Sequence, residues 1–489
     1  MRLAGFPNRP SHVQVRRSIA ITLLSSNFNL VVMFAVTLVA ARYLGPQDIG
    51  VFSIAVVCIN LLAVFRDFGT DAYVLQAKRL DRAKVAAVLG ATLSFSWVLA
   101  AGAYVARHDV ATWFDSPGVA EVLEVILCSF LLVPFASLMS CLLQRDLRAA
   151  DSARATLAGT ACFAITCITL AMAGAGPLAL AWANLANLLG TVAVLAMVRP
   201  ANMAWRPSWS GWAEPLRFGA ATAWGNLARV AHQGLPDLAL GRLQGAHEVG
   251  LFSRANGLVG LIQQLLGPTL NAVSLPLLAR EHHAQADLGA HLARACAYLT
   301  VLCWPALIWV ALFPAEIIRV LYGPRWVEAS ELVALLALAA AMRVGYQLVQ
   351  PGLVAVGRPH LSSWLLLAGL ALRAGLLVAR RPTDLHSFVL ALVIADLLVV
   401  PLQAWLASRW LGFSLRAAAL AHGQSLLVAL GCGAAGGLLK AWLPADTAAH
   451  WVLLASAVAI VGAWLLGLRM VKHPFLYELG LLLAGLRRR

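Results

Sequence analysis

The sequence predicts an all-α polytopic membrane protein: about fourteen transmembrane helices, in two parallel six-helix lobes around a central cavity, followed by two C-terminal helices. Three observations carry this. Of the 489 residues, 61% are hydrophobic and only 12% are charged, whereas a soluble domain carries about a quarter charged residues. Apolar stretches of roughly 20 residues, long enough to cross a bilayer core, recur along the whole chain. Finally, "ARYLGPQDIGVFSIA" (Ala41–Ala55) returns without gaps as "GRLQGAHEVGLFSRA" (Gly241–Ala255).

In chain order, the first six spans are expected near Ser18–Ala41, Ile49–Phe68, Val85–Ala106, Val119–Leu143, Ala155–Gly174 and Pro177–Val198. The first is too long for a signal-peptide core and reads as a retained span. These spans make residues 1–199 the N-terminal lobe. A polar connector at 200–217 follows, with Trp205, Trp209 and Trp212 suited to the headgroup zone. The C-terminal lobe, 218–410, holds spans near Phe218–Leu240, Val249–Leu278, Ala295–Phe313, Ser330–Leu353, Leu361–Ala379 and Leu385–Ala407. Residues 411–489 add spans near Ala417–Leu443 and Ala448–Leu468 and a basic tail expected to lie in the interface.

The basic residues orient this scheme. With the N-terminus inside, the cytoplasmic segments hold 24 Lys and Arg and the outer loops 8. That bias predicts cytoplasmic N- and C-termini. The net charge of +15 is then mostly a topology signal with an affinity for anionic membrane lipid, and a nucleic-acid partner is not expected. All eight cysteines fall in apolar segments, and their spacing shows neither a disulfide framework nor a CxxC metal pair. No metal or cofactor is expected. The sequence has no GxxxxGK[ST] and no GxSxG, the loops that cradle nucleotide phosphates or present a nucleophilic serine. His282 and His283, with Asp287 and His291, read as a solvated loop face.

The repeated phrase sits at the outer end of the first two spans of each lobe. Six spans is an even number, so both lobes run the same way through the bilayer, a parallel repeat able to rock around a cavity. Arg42 and Arg242 can satisfy helix-terminal carbonyls, Gly45 and Gly245 permit a left-handed turn, and Asp48 and Glu248 suit the first turn of the next helix. The phrase reads chiefly as a structural hairpin.

"ARYLGPQDIGVFSIA" also resembles the opening hairpin of the polysaccharide flippase branch of the multidrug/oligosaccharidyl-lipid/polysaccharide exporter superfamily, the O-antigen and exopolysaccharide flippases. "GLPDLALGRLQGAHEVGLFSRA" (Gly234–Ala255), "LYGPRWVEA" (Leu321–Ala329) and "AVGRPHL" (Ala355–Leu361) resemble its later signatures, in order. The resemblance covers at least the first 410 residues. It implies a non-enzymatic carrier in the bacterial inner membrane that moves an undecaprenyl-diphosphate-linked oligosaccharide to the outer leaflet, alongside glycan-assembly membrane proteins.

Charges within spans are costly, about 2.5–3.5 kcal/mol each on insertion scales, so each needs an account. At an offset of 200, Asn29, Thr37 and Ile54 of the first lobe align with Arg229, Asp237 and Arg254 of the second. Asp237 and Arg254 share a depth on antiparallel helices and are expected to pair. Arg343 and Arg373 also share a depth, and Asp396 can neutralise one of them but not both. Four deep arginines against two aspartates leave two cations, a fit for a diphosphate. Arg229, Arg343 and Arg373 are therefore the expected diphosphate ligands. Asn226, Gln233, Asn184 and Asn187 can reach sugar hydroxyls or bridge helices, and Asp237 and Asp396 are the candidate coupling carboxylates. Two alternatives stand beside this reading: a multidrug or cation antiporter of the same superfamily, which would want unpaired buried carboxylates, and a membrane glycan polymerase or ligase, which would want a large catalytic outer loop.

Overall fold

A computed structural model of the chain describes residues 12–480, apart from residue 68, 78–79, 201, 284–286 and 445. The described residues form eighteen α-helices and no strand. This is the outcome expected of spanning segments, because a helix satisfies its backbone polar groups within itself where no water can. The helices are α1 (His12–Ala41), α2 (Pro46–Asp67), α3 (Thr70–Gln76), α4 (Arg82–Trp113), α5 (Gly118–Leu127), α6 (Val133–Arg145), α7 (Ala149–Met172), α8 (Leu178–Val198) and α9 (Ala213–Leu243). They continue as α10 (Ala246–His283), α11 (Leu288–Leu312), α12 (Pro314–Leu321), α13 (Ser330–Gly345), α14 (Val349–Ala355), α15 (Pro359–Arg380), α16 (Leu385–Leu411), α17 (Leu415–Trp442) and α18 (Ala449–Met470).

Among the described residues eleven helical segments are long and apolar enough to cross a membrane, or twelve if one bent pair counts as a span. The expected fourteen would require α9 and α10 to cross as well. Both are long enough, at 31 and 38 residues, but neither is among the eleven. That bent pair corrects one expectation: Val119–Leu143 is not a continuous helix but α5 and α6, joined by a 3-10 turn at Cys128–Leu131 and bent by 50°. Pro134, in the first turn of α6, has no N–H to continue the ladder. Likewise Ser330–Leu353 breaks at Tyr346–Leu348, between α13 and α14.

The chain divides into two compact units, Met1–Ala231 and His232–Arg489, so the boundary falls inside α9. In the first unit α7 packs on both α8 and α1, and α5 on α2 and α4. The α7–α8 contact depends on small residues: a Cβ on Gly159 would stand 2.8 Å from the Asn187 carbonyl oxygen, and one on Gly190 2.7 Å from the Cys162 sulfur. Close backbone approach of this kind is how helices associate in lipid, where apolar burial gives no net drive. Asn187 thus faces a helix contact, and Asn184 donates to the Leu180 carbonyl (2.9 Å). Arg66 forms a bidentate pair with Asp67 (2.7 and 2.9 Å) and covers the Phe130 ring.

In the second unit α11 packs on α17 and α13, α17 on α18, and α16 on α13 and α15. Two prolines within its helices have a common consequence. A proline in a helix leaves the carbonyl four residues earlier without its partner. Pro305 in α11 releases the Val301 carbonyl, which accepts from the Trp464 indole of α18 at 2.9 Å. Pro236 in α9 releases the His232 carbonyl, and the donor that answers it is Arg373 of α15, at 3.1 Å.

The two copies of the repeated phrase form corresponding turns, α1 to α2 and α9 to α10, with Asp48 and Glu248 in the first turns of α2 and α10. Their glycines differ, contrary to the expectation of two left-handed turns. Gly245 has φ +94°, whereas Gly45 is not among the residues with positive φ. Gly45 instead donates its N–H to the Asp48 carboxylate (2.9 Å), which holds the turn without the left-handed conformation. Arg42 and Arg242 are exposed at the two turns.

Candidate functional site

The second unit contains two adjoining, partly open chambers of about 630 and about 360 Å³, lined by both polar and apolar groups. They share His232 and Gln233 of α9, Gln263 of α10, Arg343 of α13, Arg373 of α15 and Asp396 of α16. The larger one adds Asp237 and Asn256, and the smaller one Tyr346, Gln347, Gln350 and Gln403. A polar cavity inside an apolar bundle is the location where intramembrane charge is tolerated, because its groups face one another or water instead of lipid.

At the centre is a triad. Asp396 accepts from Arg343 Nη1 on one carboxylate oxygen (2.6 Å) and from Arg373 Nε and Nη2 on the other (3.0 and 2.7 Å). The third contact of Arg373, from Nη1, goes to the His232 carbonyl freed by Pro236. Arg373 and Asp396 are each only 9% exposed as side chains, while Arg343 remains 36% exposed. The two guanidiniums are therefore inequivalent. Arg373 engages each of its three nitrogens in holding α9, α15 and α16 together, and Arg343 gives one N–H to the pair and turns the rest of its fork to the cavity. One carboxylate between two guanidiniums leaves the triad with a net positive charge, as the charge count from the sequence implies.

The close approach of α15 to α9 has its own requirement. A Cβ on Gly369 would lie 3.0 Å from the His232 ring, so a larger residue would have to displace that ring, and glycine lets α15 come near enough for Arg373 to reach the carbonyl. His232 Nδ1 is buried and makes no hydrogen bond among the described residues, which leaves the ring as a wall of the cavity.

The expected Asp237–Arg254 bridge is not formed. Arg254 lies against the rings of Tyr322 and Trp326, its guanidinium carbon 5.5 and 5.2 Å from their centroids. Asp237 lines the larger chamber and has no ion pair among the described residues. The reason is rotational: equal depth does not give an equal face, and each residue turns a helix by about 100°. Ser253 and Asn256 point from α10 into the chamber, so Arg254 points elsewhere.

Arg229 and Asn226 are exposed on α9 and are not among the residues lining the two chambers. Asn226, Arg229, Gln233 and Asp237 recur at spacings of three and four, one face of a helix, and the last two line the cavity. Sequence reasoning missed the amides Gln263, Gln347, Gln350 and Gln403. The signal was present, since glutamine is scarce in spans, but only the fold shows that they converge. His291 is held locally by the Asp287 carbonyl (2.9 Å), and the side chains of His282 and His283 lie outside the described residues. No group of three or more His, Cys, Asp or Glu able to hold a metal occurs among the described residues.

Comparison with known proteins agrees with this architecture. The family model described as "Polysaccharide biosynthesis protein" matches residues 39–331. The succinoglycan biosynthesis transport protein ExoT of Rhizobium meliloti is 24% identical over 360 residues, covering 72% of this chain and 71% of its own. The lipopolysaccharide biosynthesis protein WzxC of Escherichia coli is 22% identical over 314 residues, 62% of each chain. Among solved structures, the lipid II flippase MurJ in an inward closed conformation superposes with a TM-score of 0.71 at 12% identity, over 96% of this chain and all of MurJ. An inward-facing multidrug resistance MATE transporter gives 0.62 at 14% identity, over 81% of this chain and 98% of its own. The chain is a multi-pass membrane transporter of the polysaccharide biosynthesis protein family, in the flippase branch of the multidrug/oligosaccharidyl-lipid/polysaccharide exporter superfamily.

Proposed function

We propose that the chain translocates an undecaprenyl-diphosphate-linked oligosaccharide from the inner to the outer leaflet of the bacterial cytoplasmic membrane by alternating access, for surface polysaccharide synthesis, without enzymatic chemistry. Its termini are cytoplasmic, following the basic-residue bias. The observation that supports this best is the triad. A net positive, partly open guanidinium stands in a polar cavity within apolar helices, and Arg is the side chain whose planar fork matches phosphate oxygens. Arg343 is the diphosphate ligand. Arg373 acts through it as a positioning residue, fixing the carboxylate that orients it. Arg229, with Asn226, extends the Gln233–Asp237 face of α9 and supplies a further cation along the path.

Asp237 favours a coupled cycle. A cavity carboxylate without an ion pair is a site for a proton or small cation that travels against the substrate. Outward movement of a diphosphate also runs with an inside-negative potential, by about 2.3 kcal/mol per charge per 100 mV. The cation-antiporter alternative shares Asp237 but does not account for a second carboxylate committed to two arginines.

Depletion of the protein in its host should accumulate lipid-linked glycan on the inner leaflet, identified by mass spectrometry of extracted lipid and by inaccessibility to an external glycosidase. Complementation with Arg343→Gln, at equal protein level, should lower surface glycan by about 10- to 100-fold, the value of one charge-assisted contact. Normal export by that variant, or no accumulation on depletion, would sink the proposal.

A further inference from the structure

The cavity contains more hydrogen-bonding capacity than the triad uses. Asn256 and Gln263 lie seven residues apart on α10, Gln347 lies in the break between α13 and α14 and Gln350 in the first turn of α14, and Gln403 follows Pro401 in α16. All five line the two chambers, and none is fully buried. Amides within a membrane bundle usually bridge helices. These make no side-chain hydrogen bond among the described residues, so their two donors and two acceptors each remain open to whatever fills the cavity. Gly257 and Gly260, on the same face of α10, carry no side chain into that space.

The charges of the lining are equally specific. Besides His232 they are Arg343, Arg373, Asp396 and Asp237. Arg373 is committed through all three of its nitrogens to Asp396 and the His232 carbonyl, and the proposed function assigns the open fork of Arg343 to the diphosphate. A second anionic group seated here would meet two carboxylates and find no cation left for it. A hydroxyl both donates and accepts, as an amide does, and each hydroxyl taken from water needs such a partner. We propose that this cavity selects an uncharged, hydroxyl-rich saccharide, with the amides of Asn256, Gln263, Gln347, Gln350 and Gln403 reading its hydroxyls and the balanced charges rejecting acidic sugars. The inference rests on the proposed function and narrows its substrate class.

The test uses the full chain in lipid nanodiscs and four probes: a polyprenyl diphosphate carrying a glucose disaccharide, the same lipid carrying a glucose–glucuronate disaccharide, the bare polyprenyl diphosphate, and the lipid-free glucose disaccharide. Affinities are read by native mass spectrometry. The neutral glycolipid should bind about tenfold more tightly than the acidic one and than the bare lipid, a ratio within reach of a few unpaired or repelled groups. Gln347→Leu and Gln403→Leu should each cut the advantage over the bare lipid by about fivefold, with bare-lipid binding reporting that the variant is folded. Should either variant fail to fold, Gln347→Lys replaces it, and a cation there should move preference toward the glucuronate probe. Equal affinity for neutral and acidic probes, or an undiminished advantage in the Leu variants, overturns the inference and leaves the proposed function standing. If the bare lipid does not bind but the free neutral disaccharide does, the proposed function fails and the amide selection stands. Absence of any gain from a saccharide overturns the inference.

Discussion

The contact between Arg373 and the His232 carbonyl makes an unusual demand: removing a proline should partly repair the loss of an arginine. In the native protein Arg373 makes three contacts, two to Asp396 and one to the carbonyl that Pro236 leaves open. Arg373→Met removes all three at a side chain that is 9% exposed. Breaking a buried ion pair costs about 3–5 kcal/mol, and Arg343, still 2.6 Å from Asp396, keeps this case near the lower end. About 1 kcal/mol or more of the loss belongs to the carbonyl, buried without a donor. Pro236→Ala restores an N–H four residues beyond His232, in place to close the ordinary helical bond. The cost of Arg373→Met should therefore be smaller by about 1 kcal/mol in the Pro236→Ala background. Reversible unfolding in mixed micelles, titrated with sodium dodecyl sulfate, would give the four free energies of the cycle. Costs that add to within about 0.5 kcal/mol would refute the reasoning, because Arg373 would then be acting on Asp396 alone. The pair Trp464→Phe and Pro305→Ala offers an independent cycle of the same kind, without any charge.

Two further outcomes follow from local geometry. Gly245→Ala should cost about 1–2 kcal/mol, since Gly245, unlike Gly45, has a positive φ, whereas Gly45→Ala should cost less, its added Cβ meeting nothing nearer than the Asp48 carboxylate at 3.8 Å. Equal costs in the same unfolding assay would show that the two turns are alike after all. His473, beyond the end of α18 and 1% exposed, accepts the Phe475 N–H at Nδ1 (3.2 Å) and meets Ser425 through Nε2 (3.3 Å). Burial holds its pKa below the ordinary value. The unfolded chain therefore takes up a proton near pH 6.5 while the folded one does not. Stability from this group is complete above that pH and falls as the pH drops below it. The unfolding midpoint should decline between pH 7 and 5, and His473→Gln should flatten that decline; an unchanged slope in the variant would assign the effect elsewhere.

Much of this molecule was legible in its sequence, because the properties involved are local or periodic. Apolar runs of membrane length dictate helices wherever the backbone has no water to turn to, and a phrase written twice at an offset of 200 returns as two corresponding helix-to-helix turns. The depth of a charge is also a count of residues, so Arg343, Arg373 and Asp396 could be grouped before any fold was known. Rotation about a helix axis and the approach of one helix to another are not local. Depth alone paired Asp237 with Arg254, and packing turned one into the cavity and the other onto Tyr322 and Trp326. The carbonyl that Pro236 would release could be named from its position; the donor that answers it, Arg373, could not, since it comes from a helix far along the chain. For the same reason the two arginines looked interchangeable in sequence. Tertiary contact spends one on structure and leaves the other partly open, and it gathers from three separate helical regions the amides that no spacing in the sequence brings together.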